Sequence, residues 1–284
     1  MKIKNLRKLP ILGCLFLIVF IPMRAEAMPP PSPAGGNYLA LDGVDDHAVL
    51  DFETFGLLLP KGTDEFTFEA WIYPTTLPAK NVNAIILSQQ VRMHVWDHDH
   101  DGNLRLMSGA HVVLEPVHIL IAFGWIKFSS DQWNHIAFQA REGQPIVIVN
   151  DSVRLLERQR IILAPDISHV GHPQDFMIGG FGEKIEFHVG HFWGHFAGYI
   201  DEVRISTVAR YNIAKRGFTP RKRFENDAKT VALWHFDEPM GRREFSDTSG
   251  NAYHLMGKNG ARTDGTFAVE AEGKLATVWG RLKR

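Results

Sequence analysis

The sequence predicts an all-β fold, a sandwich of two antiparallel sheets. Short apolar segments recur along the chain, and turn signals such as Glu142-Gly143 separate them. Residues 65–73 alternate between two faces, and Trp71 and Tyr73 leave the second face only half polar, which suits a strand covered on both sides. Residues 208–216, the best helical candidate after the N-terminal segment, would form only about two turns. Many short strands joined by tight turns are typical of two stacked sheets.

The N-terminus has the three parts of a secretory signal peptide. A basic start precedes an apolar run over residues 11–23, and Ala25-Glu26-Ala27 provides an A-x-A cleavage site. The apolar run is too short for a comfortable membrane span. We therefore expect residues 1–27 to be removed, leaving a secreted, extracellular or periplasmic protein with no membrane span.

The alternative for the N-terminus is a lipoprotein, because residues 11–14 loosely resemble a lipobox, although most of the apolar run follows Cys14. Cys14 is the only cysteine, so the mature protein can form no disulfide. Residues 1–27 contain five Lys and Arg and one Glu, which leaves 26 basic and 31 acidic residues in the rest of the chain. This mild acidity argues against nucleic acid or anionic membranes as partners.

After the signal peptide, we predict three parts: a Pro-rich linker over residues 28–36, one sandwich domain over 37–257 and a tail over 258–284. Trp71, Trp133 and Trp234 lie in strand patterns, and we expect them in the core. The predicted strands are 37–41, 47–52, 65–73, 84–88, 91–96, 104–108, 112–114, 118–122, 133–140, 145–149, 196–206, 231–236 and 252–256, with a further candidate at 275–279.

Several motifs in one order resemble the laminin G-like jelly roll of the concanavalin A-like lectin/glucanase superfamily. They are LALDGVDD at residues 39–46, FTFEAWI at 66–72, WNHIA at 133–137, GYIDEVRI at 198–205, and LWHFDE at 233–238 followed by DTSGN at 247–251. The resemblance implies a two-sheet jelly-roll sandwich, a frequent calcium site, and use as a binding or adhesion module in exported proteins. It does not imply catalysis, although the superfamily contains glycoside hydrolases.

The carboxylate pattern argues against an enzyme. A retaining glycosidase needs two carboxylates about 5 Å apart, which on one strand means alternate residues. Asp201 and Glu202 are adjacent, so strict alternation would place them on opposite faces. Glu183 and Glu186 are three residues apart beside glycines, and loop geometry leaves that pair open.

We expect a calcium site at the turn of residues 42–46, which offers three carboxylates in five residues. The resemblance implies that this turn approaches the strand that carries Asp201, so Asp42, Asp45 and Asp201 are the predicted ligands. The alternative is that Asp42 only makes a tight turn and Asp201 accepts local hydrogen bonds. Residues 97–103 resemble half of an EF-hand loop, but Ser108 stands where a glutamate is needed.

The predicted recognition site is the segment 183–195, just before the strand at 196–206. Sugar sites combine an aromatic platform with a few fixed polar groups. This segment loosely resembles the ligand loop of pentraxins, and its histidines leave zinc as an alternative. The predicted ligand-binding residues are Glu183, Glu186, His188, His191 and Trp193, with Trp96 extending the platform.

The sequence therefore predicts an exported, non-catalytic module that binds carbohydrate or another surface ligand and is stabilised by calcium. Two alternatives remain. One is a glycoside hydrolase or lyase of the same superfamily, and the other is a structural adhesin that binds protein partners and no sugar.

Overall fold

The computed structural model describes the chain in several stretches. They are residues 29–59, 63–78, 82–89, 111–114, 118–121, 124–127, 130–155, 175–180, 185–188, 191–212 and 219–265. The predicted strands at 91–96, 104–108 and 275–279 lie outside these residues, as does the predicted signal peptide.

Sheet A, as we call the first of the two sheets, contains eight strands. They are β1 (Asn37–Asp42), β3 (Phe66–Pro74), β8 (Asn134–Arg141), β9 (Gln144–Val149), β10 (Ser152–Leu155), β14 (Ala197–Ser206), β15 (Thr230–Trp234) and β18 (Arg262–Gly265). Their order is β10-β9-β8-β3-β14-β1-β18, and β15 also pairs with β14. All of these pairs are antiparallel.

Sheet B contains ten strands. They are β2 (His47–Leu50), β4 (Val82–Gln89), β5 (His111–Leu114), β6 (His118–Ile121), β7 (Gly124–Lys127), β11 (Phe176–Ile178), β12 (Ile185–His188), β13 (His191–His195), β16 (Glu244–Phe245) and β17 (Leu255–Lys258). Their order is β16-β17-β2-β11-β4-β5-β6-β7. β13 pairs in parallel with β4 and forms an antiparallel hairpin with β12.

β14 is the strand around which sheet A is arranged. It pairs with β3 along one side, while β1 and β15 share its other side. β1 lies opposite residues 197–200 and β15 lies opposite residues 203–206. The break between these two partners falls at Asp201 and Glu202, so both carboxylates lie at an irregular point of the sheet.

The inward faces of the two sheets form the hydrophobic core. The alternation predicted for residues 65–73 is confirmed, because Phe66, Phe68 and Ile72 all point into this core. Trp234 from sheet A stacks on Phe176 from sheet B, with ring centroids 5.4 Å apart and planes at 14°. The two-sheet antiparallel sandwich predicted from the sequence is therefore confirmed.

The outward face of sheet A is also covered. The Thr67 hydroxyl donates to the carbonyl of Val208 at 2.7 Å, and the Trp71 indole donates to the carbonyl of Arg221 at 3.1 Å. Trp71 packs there against Phe224, outside the main core. The expected core positions are confirmed for Trp234, in the main core, and for Trp71, in this second hydrophobic cluster, whereas Trp133 is only half-buried and packs against the second cluster.

The domain extends beyond the predicted limits at both ends. β18 lies in the segment predicted as a tail, and it pairs with β1 along the edge of sheet A. Ser32, in the segment predicted as a linker, is buried and bonds to the sheet. A short helix, α1 (Phe52–Phe55), follows β2, where the Asp51 carboxylate accepts from the amide of Thr54. Residues 208–212 of the helical candidate are irregular.

Among the described residues, no helix is long and apolar enough to cross a membrane.

Candidate functional site

The acidic turn, residues 42–46, joins β1 to β2 and gathers three carboxylates. Asp42, Asp45 and Asp46 each place an oxygen within 4.8 Å of the others. Asp42 and Asp45 are exposed, whereas Asp46 is buried. Carboxylate oxygens are the ligands that Ca²⁺ prefers, so this turn is chemically suited to a hard cation.

Backbone amides fix the shape of the acidic turn. Asp42 Oδ1 accepts from the amide of Val44 at 2.8 Å, and Asp46 Oδ2 accepts from the amide of Asp42 at 3.1 Å. The other oxygen of Asp46 accepts from the amide of Gly260, in the turn that precedes β18. Within the described residues, Asp42 Oδ2 and the Asp45 carboxylate accept no hydrogen bond, so both face solvent with free lone pairs.

The acidic turn does not approach Asp201. Asp42 pairs with Ala197, and a Cβ added to Gly43 would lie 2.5 Å from the Cβ of Ala197. Asp201 lies four residues further along β14, about 13 Å away at the rise of a strand. The structure therefore brings Asp42 and Asp45 together with Asp46 and leaves Asp201 apart, which corrects the predicted ligand set.

Two histidines lie beside the acidic turn. Nδ1 of His47 is 2.9 Å from the carbonyl oxygen of Asp45. His195, at the end of β13, is only 8 % exposed, and its Nε2 has no hydrogen-bond partner in the described part of the chain. Burial and the neighbouring His47 lower the pKa of His195, against the opposing charges of the turn carboxylates. His195 is therefore uncharged at neutral pH.

Asp201 and Glu202 lie at a β-bulge. Asp201 pairs with Trp71 and Arg204 pairs with Glu69, so two residues of β14 stand opposite one residue of β3. Glu202 has φ 54°, in the left-handed region. Both carboxylates lie on the outward face of sheet A and both are 0 % exposed. The expectation of opposite faces is wrong, because the extra residue breaks the strict alternation.

Asp201 is bonded within the protein. The Ser32 hydroxyl donates to Asp201 Oδ2, and the amide of Glu202 donates to Oδ1 at 2.8 Å. Burial raises the pKa of Asp201 well above its ordinary value; the charges of Glu202 and Asp237 add to this, while the Ser32 bond opposes it. Asp201 therefore keeps its proton to a higher pH than an exposed aspartate does.

Glu202 is also fully engaged. Its Oε2 accepts from the amide of Phe224 at 2.6 Å, and its Oε1 lies 2.6 Å from Nδ1 of His235. The Arg223 guanidinium lies 3.7 Å from Oε1 and bonds to Asp237 at 2.7 Å. Protein groups thus occupy both oxygens of Glu202.

A second buried ionic cluster fastens residues 207–212 onto sheet A. Arg204 Nη2 lies 2.7 Å from Glu69 Oε1, and the Tyr211 hydroxyl donates to Glu69 Oε2. Burial tends to raise the pKa of Glu69, but the His135 hydrogen bond and the Arg204 charge outweigh it and leave the pKa lowered. Glu69 is therefore a charged structural anchor.

Four aromatic side chains form a cluster on the outward face of sheet A, which we call the aromatic cluster. The Tyr38 ring centroid lies 4.8 Å from that of Tyr199 and 5.8 Å from that of Trp133. The Tyr73 centroid lies 5.6 Å from Trp133 and 6.0 Å from Tyr199. The Trp133 indole donates to the carbonyl of Pro30 at 2.9 Å. Each ring thus contacts two others. The four residues lie in β1, in β3, in β14 and immediately before β8.

Four of the six predicted ligand-binding residues belong to the β12–β13 hairpin. Glu186 and His188 belong to β12, and His191 and Trp193 belong to β13. The backbones of His188 and His191 pair directly, which fits a hairpin at this point. Glu183 and Trp96 lie outside the described residues. The role assigned to these six residues stays a prediction.

The aromatic cluster was not predicted from the sequence. Tyr73 was visible in the second face of the alternating segment 65–73, where aromatic residues replaced the polar residues of a solvent-facing strand. Tyr199 carried the same signal in β14. The contact from Pro30 had no local signal, because it depends on where the N-terminal segment lies in the fold.

The class of protein follows from a comparison of the chain with known protein families. The family model Laminin_G_3, described as Concanavalin A-like lectin/glucanases superfamily, matches residues 42–211. The match spans more than half of the chain, so the chain belongs to this superfamily. The resemblance seen in the sequence motifs is thereby confirmed. No curated protein sequence matches the chain.

Several solved structures are similar to this chain at low sequence identity. Domain 4 of AbnA, an extracellular arabinanase from Geobacillus stearothermophilus, in complex with arabinotriose, is 17% identical, covers 59% of this chain and 69% of its own, with a TM-score of 0.34. The CBM40 of the Ruminococcus gnavus IT-sialidase, bound to α2,3 sialyllactose, is 14% identical over 61% and 92%, with a TM-score of 0.38. Mouse laminin α1 domains LG4-5 are 10% identical over 66% and 45%, with a TM-score of 0.37.

Proposed function

We propose that this protein is an exported, non-catalytic module that binds carbohydrate or a related surface ligand. Its membership of the lectin/glucanase superfamily limits the choice mainly to sugar binding and sugar hydrolysis. The observation that supports binding over hydrolysis is the state of the buried carboxylates. Asp201 and Glu202 share one face of sheet A, but both are fully buried and bonded by groups of the chain itself.

A hydrolase would need the same carboxylates free. One must reach the leaving oxygen and the other must reach the sugar or a water, at a separation that sets the stereochemistry. Ser32 is hydrogen-bonded to Asp201, and the amide of Phe224 and the ring of His235 are hydrogen-bonded to Glu202. Because a substrate would have to displace three protein partners, the pair is better suited to architecture than to catalysis.

We further propose that the acidic turn binds calcium. Asp42 and Asp45 would supply free carboxylate oxygens, and Asp46 would hold the turn in the binding conformation through Gly260. Ca²⁺ takes six to eight oxygen ligands, so water would complete its coordination shell. The bound ion would fix the β1–β2 turn against the end of β13, where the predicted ligand hairpin lies.

Residues 1–27 support export, because they combine a basic start, an apolar run and a cleavage motif. Export would bring the module to a medium in which calcium is plentiful. Cleavage after residue 27 would also remove Cys14, so the mature chain would be held by its core and its ionic clusters and by no disulfide.

The test is a glycan array probed with the purified protein, once with about 1 mM calcium and once with a chelator. A difference between the two conditions would show that binding depends on the metal. We expect binding to a restricted group of glycans, weakened by the chelator. Asp45→Asn removes a proposed calcium ligand, and binding by this variant should no longer depend on calcium. Asp51→Asn alters an exposed carboxylate outside the turn and serves as its control. Absence of any glycan signal in both conditions would overturn the carbohydrate proposal and favour a protein-binding adhesin.

A further inference from the structure

The N-terminal segment, residues 29–36, contacts the aromatic cluster, and we call this segment the strap. The Trp133 indole donates to the strap at Pro30, and Asp201, two residues along β14 from Tyr199, receives the hydroxyl of Ser32. Tyr38, whose ring contacts Trp133 and Tyr199, is 1 % exposed. The strap therefore lies where the aromatic cluster meets a buried acid.

The strap is attached by few bonds. Among the described residues, these two side-chain hydrogen bonds are what join it to sheet A, and a turn from Gly35 to Ser32 closes within it. Prolines at 29, 30, 31 and 33 have no N–H, so the strap cannot add to the sheet as a strand. Gly35 and Gly36 both have φ 77°, a conformation that glycine adopts at little cost. The strap thus ends at a two-glycine joint just before β1.

The contacts of the strap match those that a sugar makes. The Pro30 carbonyl accepts a hydrogen bond from an indole, as a sugar oxygen does, and the Ser32 hydroxyl donates to a carboxyl group, as a sugar hydroxyl does. Aromatic rings beside such fixed polar groups are the usual construction of a sugar site. A ligand that replaced the strap would therefore leave neither Trp133 nor Asp201 without a partner.

We propose that Tyr38, Tyr73, Trp133, Tyr199 and Asp201 form a binding site for neutral oligosaccharides, which the strap occupies until the sugar displaces it. This inference rests on the proposed function and names its site. The ligand is neutral because Glu202 and Asp237, which share the single guanidinium of Arg223, lie close to Asp201, so a carboxylated or sulfated sugar would meet net negative charge. The site lies on sheet A and is separate from the predicted site on the β12–β13 hairpin.

Loosening the strap tests the proposal. Ser32→Ala removes one of the two attaching bonds, so the strap opens more often and competes less with sugar. We expect the dissociation constant for neutral glucans, xylans, arabinans or mannans to fall about fivefold, the factor that one ordinary hydrogen bond contributes. Ser152→Ala changes an exposed serine in β10, at the edge of sheet A opposite β1 and β18, and we expect it to bind as the wild type does.

Removing the platform gives the complementary result. In the Ser32→Ala background, Trp133→Ala should weaken binding to the same glycans at least tenfold, on the order of a lost stacking ring. Trp133→Leu keeps an apolar side chain and serves if the alanine variant does not fold. Calorimetric titration provides the dissociation constants, and thermal melts establish that each variant is folded.

The outcomes separate this inference from the proposed function. If the wild type binds glycans and neither Ser32→Ala nor Trp133→Leu changes the affinity, carbohydrate binding stands but the site beneath the strap is overturned. If no variant binds any glycan, both fall. If Ser32→Ala gains affinity for a synthetic peptide of residues 28–37 and for no sugar, the site is a groove for proline-rich peptide, which overturns the carbohydrate assignment.

Discussion

The buried carboxyl of Asp201 gives a prediction in which the direction of a pH effect can be worked out. Asp201→Asn keeps the size of the side chain and both of its hydrogen bonds. Asn Oδ1 can accept from the amide of Glu202, and Asn Nδ2 can donate to the Ser32 oxygen. The substitution therefore removes only the ability to ionise, beside Glu202 and Asp237.

The magnitude follows from proton linkage. The pKa of Asp201 is raised in the folded state, whereas the pKa of an unfolded aspartate is about 3.9. Between these two pKa values, the native protein therefore holds one more proton than the unfolded chain. Its stabilising contribution is complete below that window and is lost as the pH rises through it. The free energy of unfolding of the wild type then falls by about 1.4 kcal/mol per pH unit relative to Asp201→Asn.

The assay is urea unfolding of both proteins at half-unit steps from pH 4 to pH 8. We expect Asp201→Asn to gain about 1 kcal/mol on the wild type between pH 4 and pH 5, where the unfolded aspartate is still partly protonated, and to be the more stable protein at pH 7. Asp227→Asn is the control of opposite sign, because the hydrogen bond from Arg210 lowers the pKa of that half-exposed carboxyl. Its loss should cost at most about 1 kcal/mol, at neutral pH and not in acid.

A stability difference between wild type and Asp201→Asn that stays constant from pH 4 to pH 8 would refute the reasoning. It would mean that Asp201 ionises normally and that its contacts do not exclude water. A less stable Asp201→Asn at pH 7 would contradict the account in the same way.

Three further predictions concern the turn and the ionic cluster. Calcium at about 100 times its dissociation constant should stabilise the wild type by about 2.7 kcal/mol and leave Asp45→Asn unchanged; equal thermal shifts in both proteins would contradict the proposed site. Glu69→Gln should cost about 3–5 kcal/mol in denaturant unfolding, because Arg204 loses its buried partner, and a loss below 1 kcal/mol would show that the pair contributes little. Gly43→Ala should cost about 1–3 kcal/mol, since its φ is 77° and its Cβ would meet Ala197, and an unchanged melting temperature would refute this.

The sheet framework was predictable because it depends on local alternation. The inward positions of β3 followed from the period of two in residues 65–73, and most predicted strands coincide with observed ones. β18 carried no such pattern in its sequence Arg-Thr-Asp-Gly, since it is an edge strand defined by its pairing with β1. A short segment of polar residues becomes a strand only because a neighbour supplies the hydrogen bonds.

The arrangement of the carboxylates was not predictable in the same way. The β-bulge at Glu202 depends on the change of partner from β1 to β15 along β14, which adjacent residues do not encode. Ser32 lies 169 residues from the carboxyl group that it contacts, so its contact belongs to tertiary structure. The acidic turn, in contrast, was visible as Asp42-Gly43 with two further aspartates, because its spacing is local.

The most direct test of the central claim asks whether the protein binds sugar without cleaving it. A glycan that is positive on the array would be incubated with the wild type for a day, and both the retained complex and newly released reducing ends would be measured. We expect the glycan to be retained intact, and we expect the concentration of reducing sugar to equal that in a protein-free control. Release of reducing sugar by the wild type that disappears in Asp201→Asn would contradict it, and would make the buried pair a catalytic site.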